Sequence, residues 1–334
     1  MARSVPPRRS IADHTVRALI ALAALLAGCS DRPDDSVRVI TPVEPGSPAF
    51  DEAGTWTSAS ILPDPLGGSA AVLFNGHIYV IGGYFGEGAG PATRLVLRFD
   101  PETMVAERLA DFPMPVAEAA AVVYRDTLLL IGGNETDELV INARMLVWWY
   151  DPSADAWDVW AHMPDRRFRH TAHAYGDQVL VIGGENVTTP PDDSIVVLTD
   201  HTMRYAPPPN RSFANPLIGG VIDDMVVVLG SLTNPWLMRY VPDAEGWVDA
   251  VASPVSGMAT GGVVNGRLHA FIVRPRPMHH IWTPSRDRWV TAPSPPRPVE
   301  RAATVAFAGR LFLIGGWDEQ RRAVTRVQIY TPPN

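Results

Sequence analysis

The segment Ile78-Tyr79-Val80-Ile81-Gly82-Gly83 joins a short apolar run to two adjacent glycines. The same pattern returns with both glycines at residues 128–133, 179–184 and 311–316, and in altered form at 225–230 and 268–273. A turn-forming residue lies six positions before each first glycine or its equivalent: Gly76, Asp126, Asp177, Asp224, Gly266 and Gly309. The intervals between these turn residues are 50, 51, 47, 42 and 43 residues. The body of the chain is therefore a repeat array, and its period is typical of the blades of a β-propeller.

The composition indicates an all-β chain. Of the 334 residues, 46% are hydrophobic and 19% are charged, which suits a packed core and not a disordered chain. The 32 prolines and 27 glycines are dispersed between short apolar runs, as in all-β folds. The chain has no lysine, so all 28 basic residues are arginines. This excludes a lysine Schiff base and a phosphate-binding loop that depends on lysine.

A second element follows most of these apolar runs. It is an aromatic residue with proline two positions later, at Phe99, Tyr150, Tyr240, Trp282 and Tyr330. Tryptophan follows three of these aromatic residues by seven positions, as Trp157, Trp247 and Trp289. Together with the glycine pairs, these motifs resemble kelch repeats over nearly all of residues 54–334. The resemblance implies that each repeat forms one twisted, four-stranded antiparallel blade of a propeller.

The number of blades follows from how the ring closes. Six copies of the apolar run begin six blades, but no tryptophan strand follows Tyr330 in the last repeat. The missing strand is at the start of the body, where Trp56 precedes Ile61-Leu62-Pro63. We therefore predict an all-β, six-bladed kelch-type propeller at residues 54–334, whose N-terminal strand closes the last blade. The aromatic residues should fill the wedges between blades, and the glycine pairs should permit close backbone contact.

The first residues have the pattern of a targeting segment. Several arginines precede an apolar run at residues 18–27, which is too short to span a bilayer as a helix. The run ends in Leu26-Ala27-Gly28-Cys29, which resembles a bacterial lipobox, and Cys29 is the one cysteine of the chain. The resemblance implies that Cys29 carries lipid as the first mature residue, and that Ser30 favours the outer membrane over the inner one. We therefore predict a lipoprotein signal peptide at residues 1–28 and a location at the bacterial cell envelope.

Residues 29–53 are predicted to be a flexible tether, because they are rich in aspartate and proline and show no periodicity. The alternative for part of this segment is a short strand at residues 37–40. The whole chain has a formal charge of −8, and removal of residues 1–28 leaves −11. Such a surface repels phosphate backbones, so nucleic acid is not an expected partner. Membrane attachment should then depend on the lipid at Cys29.

One position of the repeat predicts the residues around the central opening. In the kelch topology, the connections between blades meet on the same face as the loops after the glycine pairs. The residues fourteen positions before each first glycine or its equivalent are Gly68, Glu118, Arg169, Pro216, Met258 and Arg301. Arg169, Arg301 and Glu118 are the candidate ligand-binding residues, because two guanidinium groups beside an axial cavity suit a carboxylate or an anionic sugar. The alternative is that these arginines donate to backbone carbonyls and hold adjacent blades together.

The sequence contains no recognisable catalytic, metal-binding or cofactor-binding motif. A copper-radical site of the galactose-oxidase type needs a cysteine cross-linked to tyrosine, and the mature chain has only Cys29. His279 and His280 are adjacent, so they point to opposite faces of a strand. His162, His170 and His173 have no carboxylate at a recurring ligand spacing. We therefore expect no cofactor and no metal.

Two classes of function remain. The preferred one is a non-catalytic binding module at the cell envelope, whose loop face binds a protein or a glycan. The alternative is an envelope enzyme that acts on an acidic sugar and is similar to N-acetylneuraminate epimerase, with Arg169, Arg301 and Glu118 around the mouth. Accessible, convergent charges at the axial opening would favour a ligand site, whereas an apolar plug would argue against one.

Overall fold

The repeats form six antiparallel sheets around one axis, in a computed structural model that describes residues 38–40, 50–86, 90–137, 140–185, 194–209, 218–230, 236–255 and 257–333. Each sheet begins at the axis, and the innermost strands of successive sheets are neighbours around a closed ring. The protein is a six-bladed β-propeller, as the repeat spacing predicts. The predicted signal peptide and Cys29 lie outside the described residues.

The first three blades follow a short N-terminal part. That part gives β1 (Arg38–Ile40), β2 (Thr55–Ser60) and β3 (Leu66–Gly67). Blade 1 follows with β4 (Ala70–Phe74), β5 (His77–Ile81), β6 (Tyr84–Phe85), β7 (Val96–Phe99) and β8 (Ala106–Arg108), of which β6 pairs with β3 outside the blade. Blade 2 contains β9 (Ala120–Tyr124), β10 (Thr127–Ile131), β13 (Leu146–Asp151) and β14 (Ala156–His162), and β11 (Asn134–Asp137) and β12 (Val140–Ala143) form a separate hairpin. Blade 3 contains β15 (Thr171–Tyr175), β16 (Gln178–Ile182), β17 (Ile195–Thr199) and β18 (Thr202–Ala206).

The remaining blades have the same order of strands from the axis outward. Blade 4 contains β19 (Ile218–Ile222), β20 (Met225–Leu229), β21 (Trp236–Val241) and β22 (Gly246–Ala252). Blade 5 contains β23 (Ala259–Val264), β24 (Arg267–Ile272), β25 (Met278–Thr283) and β26 (Arg288–Ala292). Blade 6 contains β27 (Ala303–Phe307), β28 (Arg310–Ile314) and β29 (Arg326–Thr331). Two 3-10 turns, Pro242–Ala244 and Pro284–Arg286, each lie between the last two strands of a blade. None of the helical segments in these described ranges is long and apolar enough to cross a membrane.

The N-terminal strand β2 closes the ring, which confirms the prediction from the unpaired last repeat. It pairs antiparallel with β29, and Trp56 lies opposite Tyr330 in the register. The short strand β1 adds to the outer side of β2, with Arg38 opposite Ser58. Contacts with blade 5 also begin before residue 54, because the Thr291 backbone N–H donates to Asp51 at 2.8 Å. Part of the segment expected to be a tether therefore lies against the propeller.

The glycine pairs connect one blade to the next through the backbone. In blade 1, the N–H of Gly83 donates to the carbonyl of Val116, 2.8 Å away, at the start of blade 2. A Cβ on Gly82, whose φ is +62°, would lie 2.0 Å from the same carbonyl oxygen. Two other glycine pairs make the same bond to the next blade. The N–H of Gly133 donates to the carbonyl of Arg167 at 3.0 Å, and the N–H of Gly316 donates to the carbonyl of Leu66 at 2.7 Å. These three glycine pairs thus permit a backbone contact that a side chain would block.

The recurring aromatic residues pack in the wedges between blades. Between blades 1 and 2, the ring of Trp157 lies 5.0 Å from Tyr150 and 5.1 Å from Phe112, measured between centroids. At the closure of the ring, Trp56 packs edge-on against Phe271 at 5.3 Å and beside Tyr330 at 5.1 Å. The indole N–H of Trp56 also donates to the carbonyl of Pro293 at 2.9 Å. Trp56 therefore links the N-terminal strand to both blade 5 and blade 6.

Replacement of Trp56 by alanine should open this closure. The side chain is 4% exposed, so Trp56→Ala should lower the free energy of unfolding by about 3–5 kcal/mol. Urea denaturation followed by circular dichroism measures the loss. Val105→Ala is the control, because Val105 is 69% exposed and its loss should change stability by less than about 0.5 kcal/mol. Equal stability of the two variants would mean that residues 55–60 do not hold the ring closed.

Candidate functional site

The residues that lead into the innermost strands form the rim of the axial opening. Gly68, Glu118, Arg169 and Arg301 have left-handed φ angles of 67°, 53°, 58° and 49°, and we call them the rim residues. Their backbones are joined in series: Gly68 donates to Arg301 (3.2 Å), Glu118 to Gly68 (2.8 Å) and Arg169 to Glu118 (2.9 Å). A left-handed backbone is unfavourable for residues with a Cβ. The bonds between blades therefore impose this conformation on three charged residues and direct them to one opening.

Glu118 is the central member of a group of four charged side chains. Its Oε2 accepts a hydrogen bond from Nε of Arg169 at 2.8 Å, and its Oε1 accepts one from Nη1 of Arg301. Nη1 of Arg169 also donates to both carboxylate oxygens of Glu185, at 3.0 and 3.3 Å. We call Glu118, Arg169, Glu185 and Arg301 the mouth cluster. It joins blades 2, 3 and 6 across the opening, and its formal charges balance.

Neighbouring carboxylates neutralise the charges of the two arginines of the mouth cluster to different extents. Glu118 is 3% exposed, whereas Arg169 and Arg301 are 29% and 28% exposed. Burial opposes the charge of Arg169, but Glu118 and Glu185 outweigh it and raise the pKa of this guanidinium. Burial lowers the pKa of Arg301, because Glu118 does not offset both burial and the charge of Arg169. Both arginines stay protonated at neutral pH, so Arg301 is the less neutralised cation.

Neutral side chains extend the mouth cluster towards blade 1. Nδ2 of Asn134 donates to Oε2 of Glu118 at 3.3 Å, and the hydroxyl of Tyr84 donates to Oδ1 of Asn134 at 2.6 Å. The ring of Trp317 lies 5.9 Å from that of Tyr84 and 5.7 Å from the guanidinium carbon of Arg301. The residues directly after the glycine pairs are Tyr84, Asn134, Glu185 and Trp317. The repeat topology predicts that the loops beginning there lie on this face, but it does not predict the contacts of these four side chains.

Below the rim, the innermost strands surround a cavity of about 680 Å³. The whole mouth cluster reaches it, and Met258 lines it on the blade 5 side. Pro216, which the repeat spacing also assigned to the rim, lies outside the described residues. The volume lies within the usual range of small-molecule sites. The structure thus brings the three predicted residues Glu118, Arg169 and Arg301 together at an accessible cavity and not at an apolar plug.

Donation to backbone carbonyls, the alternative role for the rim arginines, is seen at neighbouring Arg167, although within one blade. The hydrogen bonds described for Arg169 and Arg301 go to carboxylates and not to backbone carbonyls. Arg167, in contrast, is 1% exposed and donates to the carbonyls of Gly183 at 3.0 Å and Ser194 at 3.3 Å. Its Nε also pairs with Asp165 at 2.6 Å. Arg167 thus links Gly183, after β16, to Ser194, before β17, whereas the rim arginines line the cavity.

Comparisons with known proteins agree with the likeness of the repeats to kelch repeats. The family model of the Kelch motif matches residues 65–103. Kelch-like protein 36 of Bos taurus is 24% identical over 281 residues, covering 82% of this chain and 40% of that protein. Kelch-like protein terF of Aspergillus terreus is 24% identical over 299 residues, covering 79% of this chain and 64% of that protein. These matches support a kelch-repeat protein.

A solved structure supports the propeller fold. The structure of YjhT aligns with a TM-score of 0.65 and 15% identity, covering 80% of this chain and 96% of that one. At this identity the likeness concerns the fold alone. The chain spans about two fifths of the length of the Kelch-like protein 36 relatives it matches, at 20–24% identity.

Two buried histidines, His269 and His279, contact each other in blade 5. Nε2 of His279 lies 3.0 Å from Nδ1 of His269, and Nδ1 of His279 lies 3.1 Å from the carbonyl of Pro293. The adjacent His280 lies on the opposite face of β25, as strand geometry requires. In the part of the chain that the structure describes, no group of three or more histidine, cysteine, aspartate or glutamate side chains is placed to hold a metal ion.

Removal of the central carboxylate should destabilise the mouth. Glu118→Gln keeps the shape of the side chain but leaves two guanidinium groups without their shared anion, so we expect a loss of about 3–5 kcal/mol in unfolding free energy. Glu107→Gln is the control, because Glu107 is 52% exposed in its pair with Arg98 and should cost less than about 1 kcal/mol. Chemical denaturation measures both variants. A Glu118→Gln protein as stable as the control would show that the mouth cluster does not hold the blades together.

Proposed function

We propose that this kelch propeller is a non-catalytic binding module whose loop face and axial mouth receive a protein or glycan ligand. The observation that carries the proposal is the mutual pairing of the mouth cluster. Both oxygens of Glu118 accept hydrogen bonds from guanidinium groups, and Arg169 also pairs with Glu185. A general base needs an oxygen that is free to accept a proton from the substrate. This arrangement suits recognition better than acid–base chemistry.

The side chains directly after the glycine pairs support the mouth cluster. Glu185 lines the cavity, whereas Tyr84, Asn134 and Trp317 are buried. Asn134 donates to Glu118 and Trp317 lies beside Arg301, so these buried groups orient the charged side chains that face a ligand. Charged contacts from Arg169 and Arg301 would favour an acidic group on that ligand.

The second candidate is an enzyme that acts on an acidic sugar and is similar to N-acetylneuraminate epimerase. The observation that favours it is the presence of Glu118, Arg169 and Arg301 together beside a cavity of about 680 Å³. The engagement of both Glu118 oxygens argues against it, because such a carboxylate must leave a guanidinium before it can accept a proton.

A direct test uses acidic probes and follows binding and turnover in the same sample. N-acetylneuraminate, glucuronate and a short glutamate-rich peptide are titrated into the purified protein, and NMR monitors the anomers of N-acetylneuraminate. We expect saturable binding of an acidic probe without faster anomer exchange. Arg169→Gln should weaken this binding ten- to a hundredfold, since it removes a charged hydrogen bond worth about 1.5–3 kcal/mol.

Arg322→Gln is the matched control, because Arg322 is 57% exposed and pairs with Asp318 on a loop of blade 6. It should bind the probes as the unmodified protein does. Accelerated anomer exchange would favour the enzyme. Absence of binding by every probe, or equal loss in both variants, would contradict a ligand site at the mouth.

We also propose that the module is attached to the cell envelope by lipid on Cys29, at the outer membrane in preference to the inner one. The support is the agreement of the basic start, the apolar run and the lipobox-like Leu26-Ala27-Gly28-Cys29. The net charge of −11 after removal of residues 1–28 offers no attraction to anionic lipid, so the attachment would depend on the acyl chains.

Substitution of the lipid-bearing thiol tests the attachment. Cys29→Ser should move the protein from the membrane fraction to the soluble fraction, provided that an immunoblot excludes uncleaved precursor. Ser30→Ala is the control and should stay with the membrane, since it keeps the cysteine. If processed Cys29→Ser protein remains in the membrane fraction as fully as Ser30→Ala, lipid on Cys29 does not anchor the module.

A further inference from the structure

The axial cavity is polar at one end and apolar at the other. The mouth cluster supplies four charged side chains at the rim. About five residues further along the innermost strands, Leu73, Val123 and Val263 line the wall, with Val221 and Leu311 beside them. The wall between these ends is formed mainly by alanine, glycine and valine. A ligand that fills this space therefore meets charge first and hydrocarbon below it.

The hydroxyl groups in the wall are mostly used by the backbone. Thr260 accepts a hydrogen bond from the N–H of Ala302 at 3.3 Å, and Thr304 donates to the carbonyl of Gly261 at 2.7 Å. The hydroxyls of Ser69 and Thr171 have no partner, and each lies within two residues of a rim residue. The lining also contains His170, next to the mouth, and His173, about halfway along β15. Apart from His173, the polar side chains that remain for a ligand are concentrated at the mouth end.

The wall residues given by the structure are unsuited to a sugar ring inside the cavity. The described lining includes no asparagine, glutamine, tyrosine or tryptophan, and below the mouth it includes one histidine, His173, so few side chains there match several adjacent hydroxyls. A polyol placed below the rim would lose its water without gaining equivalent hydrogen bonds, which is unfavourable. An alkyl or aryl group in the same place would instead gain from burial.

The mouth offers one cation that is incompletely neutralised. Among the described residues, Arg301 has a single ion-pair partner, Glu118, which it shares with Arg169. Arg169 has Glu185 as well. The guanidinium of Arg301 is 28% exposed and lines the cavity. A carboxylate that enters the mouth therefore finds Arg301 as its best partner.

We propose that the axial cavity binds an amphipathic monocarboxylate, with its carboxylate at Arg301 and its apolar tail along the axis towards Leu73 and Val263. This inference rests on the proposed function, because it uses the same mouth. It adds the class of ligand that would fill the space below the rim. The innermost strands of five or six residues give this space a length of about 16–20 Å, enough for an extended alkyl chain.

Calorimetric titration with linear carboxylates tests the proposal. Butyrate, hexanoate and octanoate keep the head group and lengthen the tail, and each buried methylene should tighten binding about fourfold. Octanoate should bind at least tenfold more tightly than butyrate. Octanol and glucuronate test the two ends separately, and both should bind at least tenfold more weakly than octanoate.

Two variants locate the ligand, and a third is the control. Arg301→Gln should weaken octanoate at least tenfold. Ala306, on β27, is exposed and lines the cavity, so Ala306→Phe should fill the tail region and abolish the gain from butyrate to octanoate without touching the mouth cluster. Arg98→Gln, in an exposed pair on blade 1, should behave as the unmodified protein.

The outcomes separate this inference from the proposed function. The inference is supported if affinity rises from butyrate to octanoate and if Ala306→Phe removes this rise. Arg301-dependent binding of glucuronate without any dependence on chain length overturns the inference and leaves a ligand site at the rim. Absence of binding by butyrate, hexanoate and octanoate also overturns the inference. The separate titration of the acidic peptide and N-acetylneuraminate then decides the proposed function.

Discussion

The contact on which the structure depends is the backbone hydrogen bond from a glycine pair to the start of the next blade. Gly83 donates to Val116, and two residues later Glu118 turns into the innermost strand of blade 2. The same offset of two residues separates Arg167 from Arg169 and Leu66 from Gly68. Because the bond leaves no room for a Cβ, it fixes both the spacing of the blades and the place where a rim residue appears.

The mouth follows from this spacing. A rim residue held in a left-handed conformation directs its side chain to the axis, where residues from distant repeats meet. Glu118 and Arg301 are 183 positions apart in sequence and form an ion pair. The mouth cluster has two cations and two anions, and this balance allows the charged groups to be buried. An unpaired charge at this depth would be strongly unfavourable. The joining of the blades and the proposed ligand site therefore use the same four side chains.

The sequence was sufficient for the fold because the repeat supplies independent, agreeing signals. The spacing of apolar runs gave six blades, and the absence of a tryptophan strand after Tyr330 located the closing strand at Trp56. The fourteen-residue offset also brought Glu118, Arg169 and Arg301 to one opening. The repeat pattern also places the loop that begins at Glu185 on this face, but the pairing of Glu185 with Arg169 depends on how that loop leaves the glycine pair. Arg169 donates to carboxylates, and the backbone carbonyls considered for it are bound in blade 3 by Arg167.

The closure of the ring by β2 and β29 has a consequence for folding. Residues 55–60 and 326–331 are separated by almost the whole sequence of the propeller, so among the strand pairs that the structure describes theirs has the largest sequence separation and a high cost in loop entropy. Local blades form more easily than this final ladder, which makes closure a late step. Until it forms, β29 presents an unpaired strand edge, and the partly folded chain is open to pairing with another copy of itself.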